Sequence, residues 1–276
     1  NCNFSDTATV TIVVTNNNTT RNLVAGIRAN NLVNHIELQS TGKSIIAGNF
    51  TTYKNISTKG IARLNTNLTL DGTFTSSGSD LQGFPIQDLA IQNDNKIIVV
   101  GKFTGFSGGT NGANIARLLP NGNIDTSFNI GGTGITSISG TNSNIIYNVK
   151  LLPNGDMLVG GDFNWYNGVQ KNSLAKIKPD GTIDSTFHLP VISGYRNIVK
   201  SIAVQADGKI ILNGFFNLGL NGASRCVIRL LPNGSIDNSF TYGELNNYGS
   251  NEHRDLGSGW PINKILIQYF IFTFFN

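Results

Sequence analysis

Four copies of one unit, each marked by glycine and phenylalanine at fixed places, constrain this 276-residue chain more than any other feature. Gly48-Asn49-Phe50, Gly101-Lys102-Phe103, Gly161-Asp162-Phe163 and Gly214-Phe215-Phe216 carry a Gly-x-Phe signature, with the phenylalanines 53, 60 and 53 residues apart. A second phenylalanine closes each unit, at Phe74, Phe128, Phe187 and Phe240, spaced 54, 59 and 53. Periods above about 50 residues point to a propeller or similar array rather than to a short-period solenoid.

Turn chemistry inside each unit is regular. The first hairpin turns at Ser40-Thr41-Gly42, Asn93-Asp94-Asn95, Pro153-Asn154-Gly155 and Ala206-Asp207-Gly208. The second turns at Thr66-Asn67-Leu68, Pro120-Asn121-Gly122, Pro179-Asp180-Gly181 and Pro232-Asn233-Gly234. Proline presets φ, Asn or Asp tolerates the middle position and glycine takes the left-handed one, which describes a type I turn with a glycine bulge. Leu68 breaks that pattern, so its hairpin is expected to be the least secure. Residues flanking such a loop pair four apart, and the next pair on the same face is eight apart. Arg63 with Asp71, Arg117 with Asp125, Lys176 with Asp184 and Arg229 with Asp237 all have that spacing. A basic residue is therefore expected to face an acid across each second hairpin, as a structural pair rather than a ring of binding charges.

The strands are short and apolar, as at Ile97–Val100, Met157–Val159 and Ile210–Leu212, which implies burial on both faces between neighbouring sheets. No segment keeps a helical period. The expectation is an all-β, propeller-like array of four-stranded antiparallel blades: four full repeats and a truncated fifth, forming an arc or an incomplete ring. The repeats run over about 33–74, 86–128, 146–187 and 199–240, within a region spanning 20–261. The connectors Thr75–Pro85, Asn129–Asn144, His188–Asn197 and Thr241–Pro261 vary most and read as surface loops.

The two ends read differently. In residues 1–19, Thr7–Val14 is an alternating β-branched run followed by an Asn- and Thr-rich linker. The phrase CNFSDTATVTIVV resembles the last strand of immunoglobulin-like modules in bacterial surface proteins, and equally fits an ordinary edge strand. Residues 262–276 open like a fifth unit, Ile262–Gln268 matching Ile86–Gln92, before an aromatic run replaces the expected turn. No leader is visible ahead of Asn1, so the chain reads as a mature fragment or as a piece cut from something longer. Ile265–Phe275 falls well short of the roughly 20 apolar residues a membrane helix needs, so no membrane insertion is expected.

Composition excludes several classes. Charged residues are only 13% and Gly numbers 32, a strand-and-turn composition that argues against disorder. The formal charge is +4, yet the 20 Lys and Arg are scattered, so no nucleic-acid groove is expected. Cys2 and Cys226 have neither metal-ligand nor redox spacing. Cys226 fills the slot of Gly60, Asn114 and Ser173, which suggests a small strand residue. His35, His188 and His253 share no repeat slot, so neither a metal site nor a cofactor is expected. The Asp-Gly and Asn-Gly turns lack the alternating oxygen ligands of a calcium loop. No phosphate loop or nucleophile elbow is present.

At the level of V-x-x-I-x-x-Q-x-D-G-K-I-x-x-x-G-x-F followed by I-A-R-L-x-P-[DN]-G-x-[IL]-D-x-x-F, the units resemble the delta-60 repeat family. Val199–Phe216 and Ile115–Phe128 are especially close, and the match extends over about residues 33 to 240. The resemblance implies a β-propeller-like domain in large secreted or surface-attached bacterial proteins, where other modules often carry the activity. It transfers no catalytic residues. Leu68 and Asn95 for glycine, and Lys176 for arginine, are this chain's departures.

The expected function is a non-enzymatic scaffold or binding domain, extracellular or at the cell surface, with a glycan or protein as partner. A carbohydrate-binding propeller is the alternative, with Trp165 and Tyr166 as stacking residues. A glycan hydrolase or lyase ranks third, because the connectors hold only Asp80, Glu244, Glu252 and Asp255 as acids.

Overall fold

A computed structural model describes residues 11–16, 19–24, 29–58, 60–75, 83–104, 113–137, 143–187, 197–217 and 224–240. Every regular element among them is a strand. Four antiparallel sheets of the same order carry the repeats. The first is β3 (Val33–Leu38), β4 (Ser44–Gly48) and β7 (Ile61–Leu64). The second is β8 (Gly83–Ile91), β9 (Ile97–Phe103) and β10 (Ile115–Leu118). The third is β12 (Ile145–Leu151), β13 (Met157–Asp162) and β16 (Leu174–Ile177), and the fourth β17 (Ile198–Val204), β18 (Ile210–Asn217) and β19 (Ser224–Leu230). In each, the second strand lies in the middle and the first strand forms an edge.

The fourth strand of each blade is reduced to one residue. Leu64 bridges Leu70, Leu118 bridges Ile124, Ile177 bridges Ile183 and Leu230 bridges Ile236. The three-residue turn brings the chain back for a single ladder position. The Asp three residues before the closing Phe then bends it away: Phe74 N–H donates to Asp71 O at 3.0 Å and Phe240 N–H to Asp237 O at 3.1 Å.

The turns form as their residues dictate. Gly42, Asn95, Gly155 and Gly208 have φ of 79, 62, 87 and 80°, and Gly122, Gly181 and Gly234 have φ of 92, 91 and 92°. Leu68 adopts the same left-handed conformation, at φ 61°, although its Cβ opposes it by about 1–2 kcal/mol. Its hairpin is nonetheless complete, with Leu68 N–H donating to Asn65 O at 2.8 Å and Asn65 N–H to Thr69 O at 2.9 Å. Burial of the Leu68 side chain against Phe50, Tyr53 and Leu64 offsets the backbone cost.

Sheets stack face to face through continuous apolar layers. Ile98, Val100 and Ile115 of the second blade pack on Ile146, Val149, Met157 and Phe163 of the third. Leu158 and Leu174 of the third pack on Val199, Ile202, Leu212 and Phe216 of the fourth. The alternation explains the unbroken apolar strands, since successive residues face opposite neighbours.

The signature glycines are set by close approach. A Cβ on Gly48 would stand 2.2 Å from Leu32 O, on Gly101 2.3 Å from Pro85 O, on Gly161 2.1 Å from Ile145 O and on Gly214 1.9 Å from Ile198 O. At all four, the second strand crosses the start of the first at backbone contact. The phenylalanine two residues on, Phe50, Phe103, Phe163 or Phe216, is fully buried.

Two smaller sheets sit beyond the glycines. β5 (Thr52–Tyr53) pairs with β6 (Ile56–Ser57), and β11 (Ile135–Thr136) pairs with β14 (Trp165–Tyr166), which pairs with β15 (Val169–Gln170). Positive φ at Lys54 and Asn55, and at Asn167 and Gly168, makes both tips two-residue hairpin turns. The connector after Phe128 is thus not simply a surface loop: Asn129 is buried and β11 joins the next repeat's insert. At the N-terminal end, β1 (Thr11–Asn16) pairs with β2 (Thr19–Val24) as a separate hairpin. Cys2, His188, His253 and residues 262–276 lie outside the described residues.

Gly161→Ala is expected to cost about 1–3 kcal/mol through forced backbone displacement. Gly72→Ala, which meets nothing within 4 Å, serves as the control. Urea unfolding of both variants measures the difference.

Candidate functional site

Three groups of polar side chains rise from this framework. The first occupies the end of the blades where both tight turns lie. Arg63 Nε reaches Asp71 Oδ2 at 2.7 Å, Arg117 Nε reaches Asp125 Oδ2 at 2.8 Å and Arg229 Nε reaches Asp237 Oδ2 at 2.8 Å. Lys176 Nζ lies 3.1 Å from Asp184 Oδ2. The eight-residue spacing therefore places base against acid across each second hairpin. The other carboxylate oxygen accepts the hydroxyl two residues on, at Thr73, Ser127, Thr186 and Ser239.

The arginines also join blades. Arg63 Nη1 donates to Pro120 O at 2.6 Å and Arg117 Nη1 to Pro179 O at 2.6 Å, each in the following repeat's second turn. Their guanidinium groups lie 5.0 Å and 4.9 Å from the ring centroids of Phe74 and Phe128. Lys176 forms no such fork; its ammonium instead bridges Asp156 and Asp184. Burial alone would raise the Asp125 carboxyl. Hydrogen bonds from Ser127 and the charge of Arg117 outweigh it and hold the group down at about 2.

The second group spans the first strands of the four blades. His35 of β3 bonds through Nδ1 to Asp88 of β8 and through Nε2 to Glu37, the latter at 3.0 Å. Asp88 Oδ2 accepts Asn148 Nδ2 at 2.5 Å and Val149 N–H at 3.0 Å, both from β12. Asn148 Oδ1 in turn accepts Ile202 N–H of β17 at 3.1 Å. One continuous chain of bonds thus joins four blades. Burial would lower the His35 pKa, but Asp88 and Glu37 raise it to about 9, so the ring is an imidazolium donating from both nitrogens. In the sequence His35 stands apart from the other histidines. The signal lay in register: His35, Asp88, Asn148 and Ser201 each stand four residues before Gln39, Gln92, Leu152 and Gln205.

The third group is the insert end. Tyr166 is fully buried, and its hydroxyl donates to Gly181 O at 2.7 Å. Tyr53 repeats the contact with Leu68 O at 3.0 Å. Tyr166 is therefore a framework residue that ties the insert to the second turn, and the expectation that it stacks on a ligand is corrected. Burial pushes its phenol well above the usual range. Trp165 is half-buried on β14, between Thr136 of β11 and Gln170 of β15. Ile56 and Val169 occupy the same hairpin-tip slot and are exposed.

Beside the insert, Lys171 is buried and donates to Phe187 O at 2.9 Å and Asp184 O at 3.3 Å, and burial lowers its pKa. Asn114 and Ser173 take left-handed backbone, as does Gly60, and donate to Asn144 O and Asn197 O of the next repeat. The slot is thus a turn position in three repeats, whereas Cys226 falls within β19. Among the described residues no group of three or more His, Cys, Asp and Glu could hold a metal ion, and no helix is long and apolar enough to cross a membrane.

Four stacked antiparallel sheets of one repeating topology define a β-propeller array. The family model described as "Domain of unknown function (DUF5122) beta-propeller" matches residues 39–74, 92–128, 152–187 and 205–240, together more than half of the chain. The chain belongs to this delta-60-like repeat family. No curated protein matches its sequence.

Solved structures similar to it include a protein of unknown function from Bacteroides caccae, at 12% identity and TM-score 0.42, covering 73% of this chain and 64% of that one. An extracellular domain of a one-component system from B. thetaiotaomicron matches at 16% identity and TM-score 0.39, over 70% and 22% of the two chains. Virginiamycin B lyase from Staphylococcus aureus matches at 18% identity and TM-score 0.40, over 73% and 53%. The chain spans less than two thirds of each of these three structures.

Arg117→Ala is expected to destabilise the fold by about 1–3 kcal/mol, because the bonds of the guanidinium to Asp125 and to Pro179 O are lost while Lys96 Nζ, 3.4 Å from Asp125 Oδ2, still offsets part of the buried charge. Asp125 is depressed in the folded state, so its stabilisation is present above the unfolded value of 3.8 and lost as pH falls through about 2. Urea melts between pH 5 and pH 2 should show a shallower acid dependence in the variant. His35 has the opposite sign: its stabilisation is complete below 6.5 and lost as pH rises through about 9. His35→Gln should flatten the alkaline limb of the stability profile.

Proposed function

We propose that this domain is a non-enzymatic β-propeller module that displays or binds through its insert end, within a larger secreted or cell-surface bacterial protein. The observation that carries the reading is an asymmetry between the two ends of the blades. At the tight-turn end the residues shared by the repeats, Arg or Lys, Asp and Ser or Thr, are bonded to one another and to neighbouring turns. At the insert end the repeats differ: Thr52, Lys54 and Ile56 in one correspond to Trp165, Asn167 and Val169 in another. A rigid frame with variable loops at one end is the usual arrangement for recognition. The resemblance to secreted and surface-attached repeat proteins, together with the low charge and the Asn- and Thr-rich composition, supports the extracellular setting.

Half-burial of Trp165 favours one specific version, a saccharide-binding propeller in which the indole stacks on a sugar face. A glycan-array screen on the full chain, with Trp165→Ala beside it, tests this. Specific binding lost in the variant is the expected result for a saccharide ligand. A flat array from folded protein would leave the scaffold role and remove the glycan. Release of new reducing ends or unsaturated products from polysaccharides, abolished by His35→Gln or Asp88→Asn, would contradict the non-enzymatic reading.

A further inference from the structure

Each blade offers one face to the blade that follows, and the first strand of the follower covers it. β8 lies against β3 and β4, β12 against β8 and β9, and β17 against β12 and β13. Two apolar residues of that strand, three positions apart, make the contact. Ile86 and Leu89 pack on Ile45, Ala47 and Ile61. Ile146 and Val149 pack on Ile98, Val100 and Ile115, and Val199 and Ile202 on Leu158 and Leu174. The approach is close: a Cβ on Gly160 would stand 2.4 Å from Val199 Cγ1 and 3.0 Å from Ile202 Cδ1. Under this cover Ile45, Ile98 and Leu158 of the second strands are 0% exposed, and Ile61, Ile115 and Leu174 of the third strands 3, 0 and 0%.

The fourth blade carries the same face. Ile211 pairs with Arg229 as Ile98 pairs with Arg117, and Val227 pairs with Asn213 as Ile115 pairs with Val100. Leu212 and Ile228, the next residues on the same strands, belong to the layer shared with the third blade, so Ile211 and Val227 point the other way. Both are only half-buried. Apolar side chains that three blades bury completely are left partly open on the fourth, which marks a contact surface.

One stretch of the sequence has the pattern of a covering strand. Gly259-Trp260-Pro261-Ile262 repeats the order of Gly83-Phe84-Pro85-Ile86, which opens β8, and Ile265, Ile267 and Gln268 repeat Leu89, Ile91 and Gln92. Ile262 and Ile265 thus have the spacing of Val199 and Ile202. The connector is long enough. From a closing phenylalanine to the first of the two apolar residues is 12, 18 and 12 positions in the earlier repeats, and 22 from Phe240 to Ile262. Stacked sheets stand about 10 Å apart, which such a tether spans with ease. It also holds the strand near the face at an effective concentration on the order of 1 mM, an advantage that a second copy of the chain lacks.

We propose that the face of Ile211 and Val227 is a docking site for the chain's own segment Ile262–Gln268, which lies on it as the first strand of a following blade. Ile262 and Ile265 seat on Ile211 and Val227 as Val199 and Ile202 seat on Leu158 and Leu174. A single strand thereby caps the array, because in each earlier blade pair the first strand makes the contact. The docking holds whichever end of the blades recognises a partner.

The test combines hydrogen exchange and urea unfolding of the full chain with Val227→Ala, Ile265→Ala, their double variant and Ile265→Asp. Light scattering gives the oligomeric state of each. The Ile262 and Ile265 amides should be protected about a hundredfold or more in a monomeric chain. Ile265→Asp should speed exchange of the β17 and β18 amides by about tenfold or more. Val227→Ala and Ile265→Ala should be non-additive in urea unfolding, because each removes a contact that the other has already lost. Unprotected amides at Ile262 and Ile265, or strictly additive substitutions, overturn the docking. An oligomer that Val227→Asp dissociates and Ile265→Asp leaves intact overturns it too. The face then belongs to a second copy, whose half-buried Val33 and Ile36 hold the slots of Ile86 and Leu89.

Discussion

Each first strand is the edge of its sheet, so its outward amides have no ladder partner of their own and must be met from outside the blade. The preceding blade supplies the acceptor. Asp88 takes the Val149 amide and Asn148 takes that of Ile202, and the His35 imidazolium closes the chain by bonding Asp88. An apolar side chain in place of Asp88 or Asn148 would strand a backbone donor, a loss of about 1–3 kcal/mol where the group is buried. That requirement keeps a polar residue in the middle of otherwise apolar strands. It also aligns each blade on the one before.

The blades are pinned a second time, at the second turns. Arg63 and Arg117 reach across to the proline carbonyls of the next second turn while bonding their own Asp and lying beside their own closing Phe. One side chain thus fixes a hairpin, its exit and its neighbour. Between the two polar contacts lie only apolar layers, which set no register by themselves. Polar contacts at both ends of an apolar interface fix how the sheets stack, and the insert end is left to vary in length and chemistry without disturbing that stacking.

Much of this frame was legible in the residues. Glycine periodicity, turn chemistry and the eight-residue Arg–Asp spacing are local rules, and local rules survive without knowledge of the partner blade. Leu68 shows their limit, since tertiary burial overrode a backbone preference that the turn rule treats as decisive. Tyr166 shows another. Whether an aromatic after Phe163 faces solvent or seals a turn depends on Gly181, fifteen residues on, and only the fold brings its carbonyl within reach. The His35–Asp88–Asn148 chain was hidden because each member sits in a different repeat, more than fifty residues from the next. Aligning the repeats on Gln39, Gln92, Leu152 and Gln205, four positions later, would have exposed the slot.

The central claim is that bonds between blades make four repeats one cooperative body. Native-state hydrogen exchange across a series of denaturant concentrations addresses it directly. The account predicts that the amides of β4, β9, β13 and β18 converge on a single opening free energy, with Val149 and Ile202 exchanging at the same level. Strands that open one repeat at a time, each with its own denaturant dependence, would contradict it.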